Sequence, residues 1–497
     1  MKKIVLASIT LVASQNVFSQ YEISSFTSTG RGGATSFVTD YQACGINPAN
    51  LGWHSEFDDK KITFGFTEFT FSLYSGALSK DELRTEIKNS IQGRTASNWT
   101  YQQKKDAAQS FANAGLGLNM DLGSFGFSFA TEKFGGIAFR INDNMSFYSK
   151  LGDKASELLF LGRRASIFDS LVYVNPTTFD TTLIANDPNL ADSIAQNVIS
   201  GFASQIPKYI GEIMNGSELR ASWTREYNLS YGRKIFGKDD VIEVFAGIGL
   251  KYIQGFAMID VSSENNKLNA FSAITPFFNI DYGSAASINP STIGQGGRNM
   301  PKPVGNGYGA DFGIDVLIKN KLKIALAATN IGSMSWSGNV YSMKDTLVFD
   351  TESAGLDNFN FAEGIKNLGG ADGLFQWDGL TERKTALPTT VRFGSSFLIK
   401  EIAQIGFDII IPAVQSPAQF DRAIIGIGGD IKPLPWLRVS AGFLTGGNYD
   451  FSIPLGLTIV SPSGTWEGGI ASRDVVTFFT QKGPTLSFST GFLRFRI

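Results

Sequence analysis

Six ionisable residues stand in apolar or glycine-flanked positions where strand alternation would turn them to one face: Asp311, Asp315, Arg392, Asp408, Asp430 and Arg438. Carboxylates and guanidinium groups in such places can line a solvated channel, hold a polar ligand, or pair with one another. Burial without a partner costs several kcal/mol each, so water or an opposite charge has to be supplied. Other chemistry has little to work with. His54 and Cys44 are the only histidine and cysteine, which excludes a multi-histidine metal site, zinc motifs and an internal disulfide. A Ser-His-Asp triad would have to recruit His54, and no Gly-x-Ser-x-Gly elbow occurs. No enzyme activity, metal or cofactor is expected, and Cys44 reads as a small apolar packing residue. The net charge of −2 gives no dominant basic surface for nucleic acid.

The elements that position these groups are short strands. Residues 1–19 read as a secretory signal peptide: Lys2 and Lys3, an apolar stretch Ile4–Ala13, and Val17 and Ser19 before the cleavage site. Beyond residue 20 no run of about 18 apolar residues exists to form a membrane-crossing helix. Yet aromatics reach 12%, glycines number 54, and only 18% of residues are charged, against about 25% in ordinary soluble proteins. An exported chain of this composition suits a transmembrane β-barrel, whose strands are apolar at only every second position.

Alternation is plainest over 218–235, where Leu219, Ala221, Trp223, Tyr227, Leu229 and Tyr231 oppose Arg220, Ser222, Thr224, Glu226, Asn228 and Ser230. Arg225 breaks the pattern and is expected near a membrane interface. Comparable strands are predicted at 62–78, 115–131, 135–149, 241–260, 305–318, 322–342, 387–399, 402–413, 422–432, 436–445, 452–461, 464–472 and 485–497. Between them, very short connections (132–134, 236–240, 319–321, 400–401, 433–435, 462–463) contrast with long ones (79–114, 151–217, 261–304, 343–386). Short periplasmic turns and long external loops are the asymmetry of outer-membrane barrels. Residues 269–283 also pass for a strand, but counting them in the wall would put later long loops on the periplasmic side. Assigning them to the external loop 261–304 leaves fourteen strands, with sixteen as the alternative. Helices are predicted in the external inserts, within 80–91 and 104–114 and along the stripe Leu190, Ile194, Val198, Phe202, Ile206, Ile210.

Residues 31–52 open on Arg31-Gly32-Gly33 and nearly close on Asn47-Pro48-Ala49, with small residues filling much of the space between. This stretch resembles the N-terminal hatch of FadL-like outer-membrane proteins, which lies inside the barrel. The segments 308–332, ending in Asn330-Ile331-Gly332, and 387–397 resemble that family's strands. The terminal alternation of Leu493, Phe495 and Ile497 with Arg494 and Arg496 resembles a barrel-assembly signal, although Ile replaces the usual aromatic. The resemblance extends to the PorV-like branch, which serves type 9 secretion.

It implies an all-β closed antiparallel barrel of about 14 strands over 62–497, a hatch over 20–61, and no appended domain. It also implies a place in the outer membrane of a Gram-negative bacterium. The implied activity is passive uptake of hydrophobic or amphipathic small molecules through a hatch-gated barrel. The alternative is a non-transporting accessory barrel that binds a partner protein in secretion or outer-membrane assembly. Candidate binding residues are Arg31, Gly32, Gly33, Asp40, Asn47 and Pro48 in the hatch, and the six charged residues of the lumen. In the external loops Phe271, Phe277 and Phe278 could receive a hydrophobic substrate at the outer mouth or cap the barrel. Within the lumen, pairing among the charges or with Arg31 or Asp40 is the expected arrangement.

Overall fold

Strands form where apolar residues occupy every second position, and a ring of them leaves no backbone edge unpaired. A computed structural model describes residues 25–53, 55, 57, 61–77, 99–294, 300–356, 375–399, 401–414, 416, 422–447, 449–476 and 485–497. Residues 1–19, predicted as a signal peptide, His54 and the helix predicted within 80–91 lie outside the described residues.

Fourteen wall strands run in chain order. They are β1 (Ile62–Ser75), β2 (Gly115–Thr131), β3 (Gly135–Lys150), β4 (Glu218–Lys238), β5 (Ile242–Glu264), β6 (Gly305–Ile318) and β7 (Leu322–Trp336). The ring continues through β8 (Thr390–Ile399), β9 (Ala403–Pro412), β10 (Ile424–Leu434), β11 (Leu437–Gly446), β12 (Leu455–Val460), β13 (Trp466–Ser472) and β14 (Thr485–Arg496). Each pairs antiparallel with its neighbours in sequence. β1 closes on β14, from Thr63 opposite Arg496 to Tyr74 opposite Thr485. The loops sort as the sequence predicts, with turns such as 132–134, 239–241 and 319–321 at one end and 151–217 and 337–389 at the other.

Burial runs opposite to that of a soluble protein. Leu229, Ile248, Leu250, Phe312, Ile314, Phe393, Ile427 and Phe488 are exposed on the outside, while the polar residues between them are buried within. This is the surface a wall presents to acyl chains. Tyr227, Tyr252 and Tyr308 stand opposite one another on β4, β5 and β6. Their rings lie 5.9 and 5.5 Å apart in a row toward the external end, as an aromatic girdle does. Phe134, Phe236 and Trp436 are exposed beside the short turns at the opposite end. Arg225 sits just above the tyrosine row, 3.0 Å from Asp143.

The 269–283 stretch resolves neatly. Lys267–Ile274 is a strand, but it pairs with the top of β5 directly above β6, so one position in the ring holds both. The count stays at fourteen. Two expectations about the external loops part company. Tyr101–Phe111 is a helix, capped by Thr100 and Gln103. The 190–210 stripe is not one: it breaks into the short helix Asp192–Ala195, the strand Val198–Phe202 and a second short helix that begins at its last member, Ile210–Ile213. Val198 and Ile199 favour extended backbone, and pairing with the strand Ser170–Val174 overrides the fourfold spacing. Gly201 fits there because Arg163 backbone occupies the space a side chain would need.

Candidate functional site

The N-terminal segment lies inside the ring, and every described residue from 25 to 57 except Gly33, Thr39 and Asp40 is buried. Its polypeptide turns tightly there: Gly32 and Gly33 have φ of 66° and 74°, and Asp40 adopts φ 60°. Asn47 caps the turn that follows, accepting from the Ala49 N–H at 3.0 Å, and Pro48 takes its first position.

The lumen charges meet this segment at separate points. Arg31 grips Asp430 through Nε at 2.9 Å and Nη2 at 2.7 Å, and Gln404 and Ser440 donate to the same carboxylate at 2.8 and 2.6 Å. Asp408 accepts from the Thr35 backbone and hydroxyl at 2.5 and 2.6 Å, with Arg392 3.3 Å away. Asp315 accepts from Asn47 Nδ2 at 2.7 Å and pairs with Lys323 at 2.9 Å. Lys323 in turn donates to Asn50 at 2.6 Å and lies 4.3 Å from the Trp53 ring centroid. Asp40 pairs with Arg494.

Two of the six lumen residues bind wall groups instead. Asp311 is held by Lys251 at 3.2 Å, by Asn228 at 3.1 Å, and by the Asn330 N–H at 2.8 Å. That last bond fills a bulge between β6 and β7, where Asn330 takes φ 59°. Arg438 lies 3.8 Å from Glu467, which also meets Arg494 and Arg496, and its guanidinium is 5.1 Å from the Phe57 ring centroid. The structure therefore places all twelve hatch and lumen candidates in or around one plugged interior, each charge facing an opposite charge.

Several members of this interface are not assigned to it by the sequence: Glu68, which accepts from Tyr41 at 2.6 Å and Gln42 at 2.9 Å, and Lys251, Lys323, Glu467 and Arg494. The contact of inner-face glycines with the hatch is likewise not read from the sequence. A methyl group at Gly313 would collide with Asn47, at Gly247 with Pro48, at Gly426 with Gly32, and at Gly428 with Arg31. Glycine on the inward parity of a strand is the signal that marks where the hatch presses.

The three external phenylalanines do not form one site. Alternation turns Phe271 to the inner face of the external strand, where the Arg383 guanidinium covers its ring at 3.6 Å. At Thr275 the chain bonds back to the Phe256 carbonyl at 2.7 Å, and the turn Pro276–Phe278 puts Phe277 and Phe278 on the outer flank against Trp223. Neither residue sits over the mouth. An apolar cavity of about 90 Å³ lies elsewhere, between the outward faces of the tops of β3, β4 and β5 and the loop layer over them. Phe147, Leu219 and Val261 line it from the wall; Leu158, Ile210 and Met343 line it from the loops. Among the described residues, no cluster of His, Cys, Asp and Glu could hold a metal ion.

Comparison with solved structures finds similarity over nearly the whole chain. The Pseudomonas putida toluene transporter TodX matches at 11% identity and a TM-score of 0.41, covering 97% of this chain and 99% of its own. A Pseudomonas aeruginosa FadL homologue matches at 11% and 0.37, covering 96% and 97%. The CymD monoaromatic hydrocarbon channel matches at 8% and 0.31, covering 95% and 97%. None of the curated proteins compared matches the chain. The model of a family of unknown function, DUF5723, matches residues 128–443, well over half of the sequence, and the chain belongs to that family.

Proposed function

We propose that this protein is an outer-membrane channel that takes up hydrophobic or amphipathic small molecules, with a hatch that blocks the lumen at rest. The observation that carries this reading is the apolar cavity at the external end. Its lining offers an oily solute almost nothing but hydrocarbon and thioether, and on the barrel side it is lined by outward-facing wall residues such as Phe147, Leu219 and Val261 rather than by the polar lumen. At about 90 Å³ it is smaller than the roughly 150 Å³ that accommodates benzene. Met214 and Met343 at its edge are flexible side chains that can yield to a larger guest. Passage inward then requires release of at least one hatch anchor.

Binding of a fluorescent fatty acid to the barrel in nanodiscs tests the capture step. Saturable binding that Leu219→Trp weakens tenfold or more (about 1.4 kcal/mol) is the expected result. Binding that is absent, or unchanged when the cavity is filled, contradicts it.

A further inference from the structure

The loop after the external strand Lys267–Ile274 carries Phe277, Phe278 and Ile280, each about half exposed. Three observations fix where it lies. Trp223 projects from β4 with the same parity as Tyr227 and Leu229, so it belongs to the lipid-facing side of the wall. Its ring packs on Phe256 at 4.8 Å and meets Phe278 edge-on at 6.0 Å, and Phe278 meets Phe277 at 5.6 Å. Farther along, Tyr282 stacks at 3.8 Å on Tyr341, which faces outward from the strand Val340–Met343. The segment therefore runs along the outer flank of the barrel, not across its opening.

Its height follows from strand geometry. Trp223 is four residues above Tyr227, and at about 3.3 Å per residue with a tilt of 35–45° that is roughly 10 Å above the tyrosine row. Girdle aromatics mark the head-group level, a zone about 5–8 Å deep on each side of the hydrocarbon. A loop at that height stands a few ångströms above this zone, within the span of a phenylalanine side chain from its outer edge. Beside them the Arg225 guanidinium is about one-third exposed, paired with Asp143 and 5.5 Å from the Phe256 centroid.

We infer that residues 276–280 form an interfacial anchor, seating Phe277, Phe278 and Ile280 in the head-group layer of the outer leaflet. The occupant is lipid because the patch joins the outward face of the wall at Trp223, directly above the Arg225–Asp143 pair, a charged group of the kind that marks the head-group level. An aromatic anchor here fixes the vertical and rotational seat of β4 and β5, the strands that also bear the apolar cavity. The inference does not depend on the transport reading.

The test attaches bimane to Phe277→Cys, Phe278→Cys and Ile280→Cys in the full chain, with Leu183→Cys on the exposed external sheet for comparison. Cys44 is buried at 2% exposure and stays unlabelled. Each variant is reconstituted in dioleoylphosphatidylcholine vesicles containing a head-group nitroxide lipid, and heat-modifiable gel migration verifies that its barrel is folded. Quenching at 277, 278 and 280 several-fold above that at 183 supports the anchor. Quenching no greater than at 183, whether the label faces water or is packed beneath other loops, overturns it.

Discussion

Asp315→Ala should release the hatch without opening the barrel. In the native chain Asp315 on β6 and Lys323 on β7 pair diagonally across the two strands at 2.9 Å, with side-chain exposures of 0% and 1%. Removing the carboxylate leaves Lys323 as a buried cation without its counter-ion, a loss of about 3–5 kcal/mol. Asn47 loses its acceptor as well, worth about 1 kcal/mol more. The strand hydrogen bonds on either side are backbone bonds and remain. The penalty is therefore relieved by local undocking of residues 47–53, which lets water reach Lys323. Together these come to about 4–6 kcal/mol, and at about 1.4 kcal/mol per decade the undocked fraction should rise by roughly three to four powers of ten. Cys44, three residues before Asn47 and 2% exposed, reports this directly. The assay is the rate of maleimide–polyethylene glycol attachment to folded barrel, resolved by heat-modifiable migration. Asp315→Ala should react at least a hundredfold faster than the native chain. The double variant Asp315→Ala/Lys323→Met, which removes both charges, should return most of the protection. An unchanged rate in the single variant, or equal rates in the single and double variants, would refute the idea that buried ion pairs hold the hatch.

Other consequences are checked by similar means. Ile248→Lys, on the lipid side four residues below Tyr252, should cost roughly 2–4 kcal/mol and lower the yield of folded barrel on gels. Trp223→Asp should do less harm, since Trp223 lies above the tyrosine row beside Arg225 rather than at mid-membrane. Gly426→Val should leave the barrel folded but raise Cys44 labelling, because its side chain would displace the Gly32 backbone at a cost of about 1–3 kcal/mol. In the external sheet, the Ser204 and Ser170 hydroxyls and the Gln205 N–H hold the Asp169 carboxyl well below the usual carboxylate range. A depressed folded pKa means this contribution is complete above about pH 4 and fades as pH falls through the folded value. Proteolysis within 165–205 should thus quicken only under stronger acid, and Asp169→Asn should remove that dependence.

Much of the wall was legible because lipid imposes a strict rule on it. Below the tyrosine row every second residue of β4 meets hydrocarbon, so alternation survives in the sequence, and sorting loops by length gives the even count. The external layer was harder to read. No solvent imposes a period on it, and Val198–Phe202 became a strand through pairing with Ser170–Val174, which no local pattern announces. At the hatch, the charged residues on the inner face could be listed but not matched. Asn47 and Asp315 are 268 positions apart and Arg494 and Asp40 are 454 apart, so their partnership is set by how the segment threads the ring. The apolar cavity escaped notice for a related reason. Leu219 and Val261 share the outward parity of lipid-facing residues, and only the loop layer above turns them into a lining.

Uptake of a labelled fatty acid into proteoliposomes is the most direct measurement of what the plugged barrel does, comparing the native chain with one lacking residues 31–52. The account predicts uptake above empty vesicles for the native chain and a marked increase once the lumen is unblocked. Uptake absent from the native chain and unchanged after the deletion would contradict it.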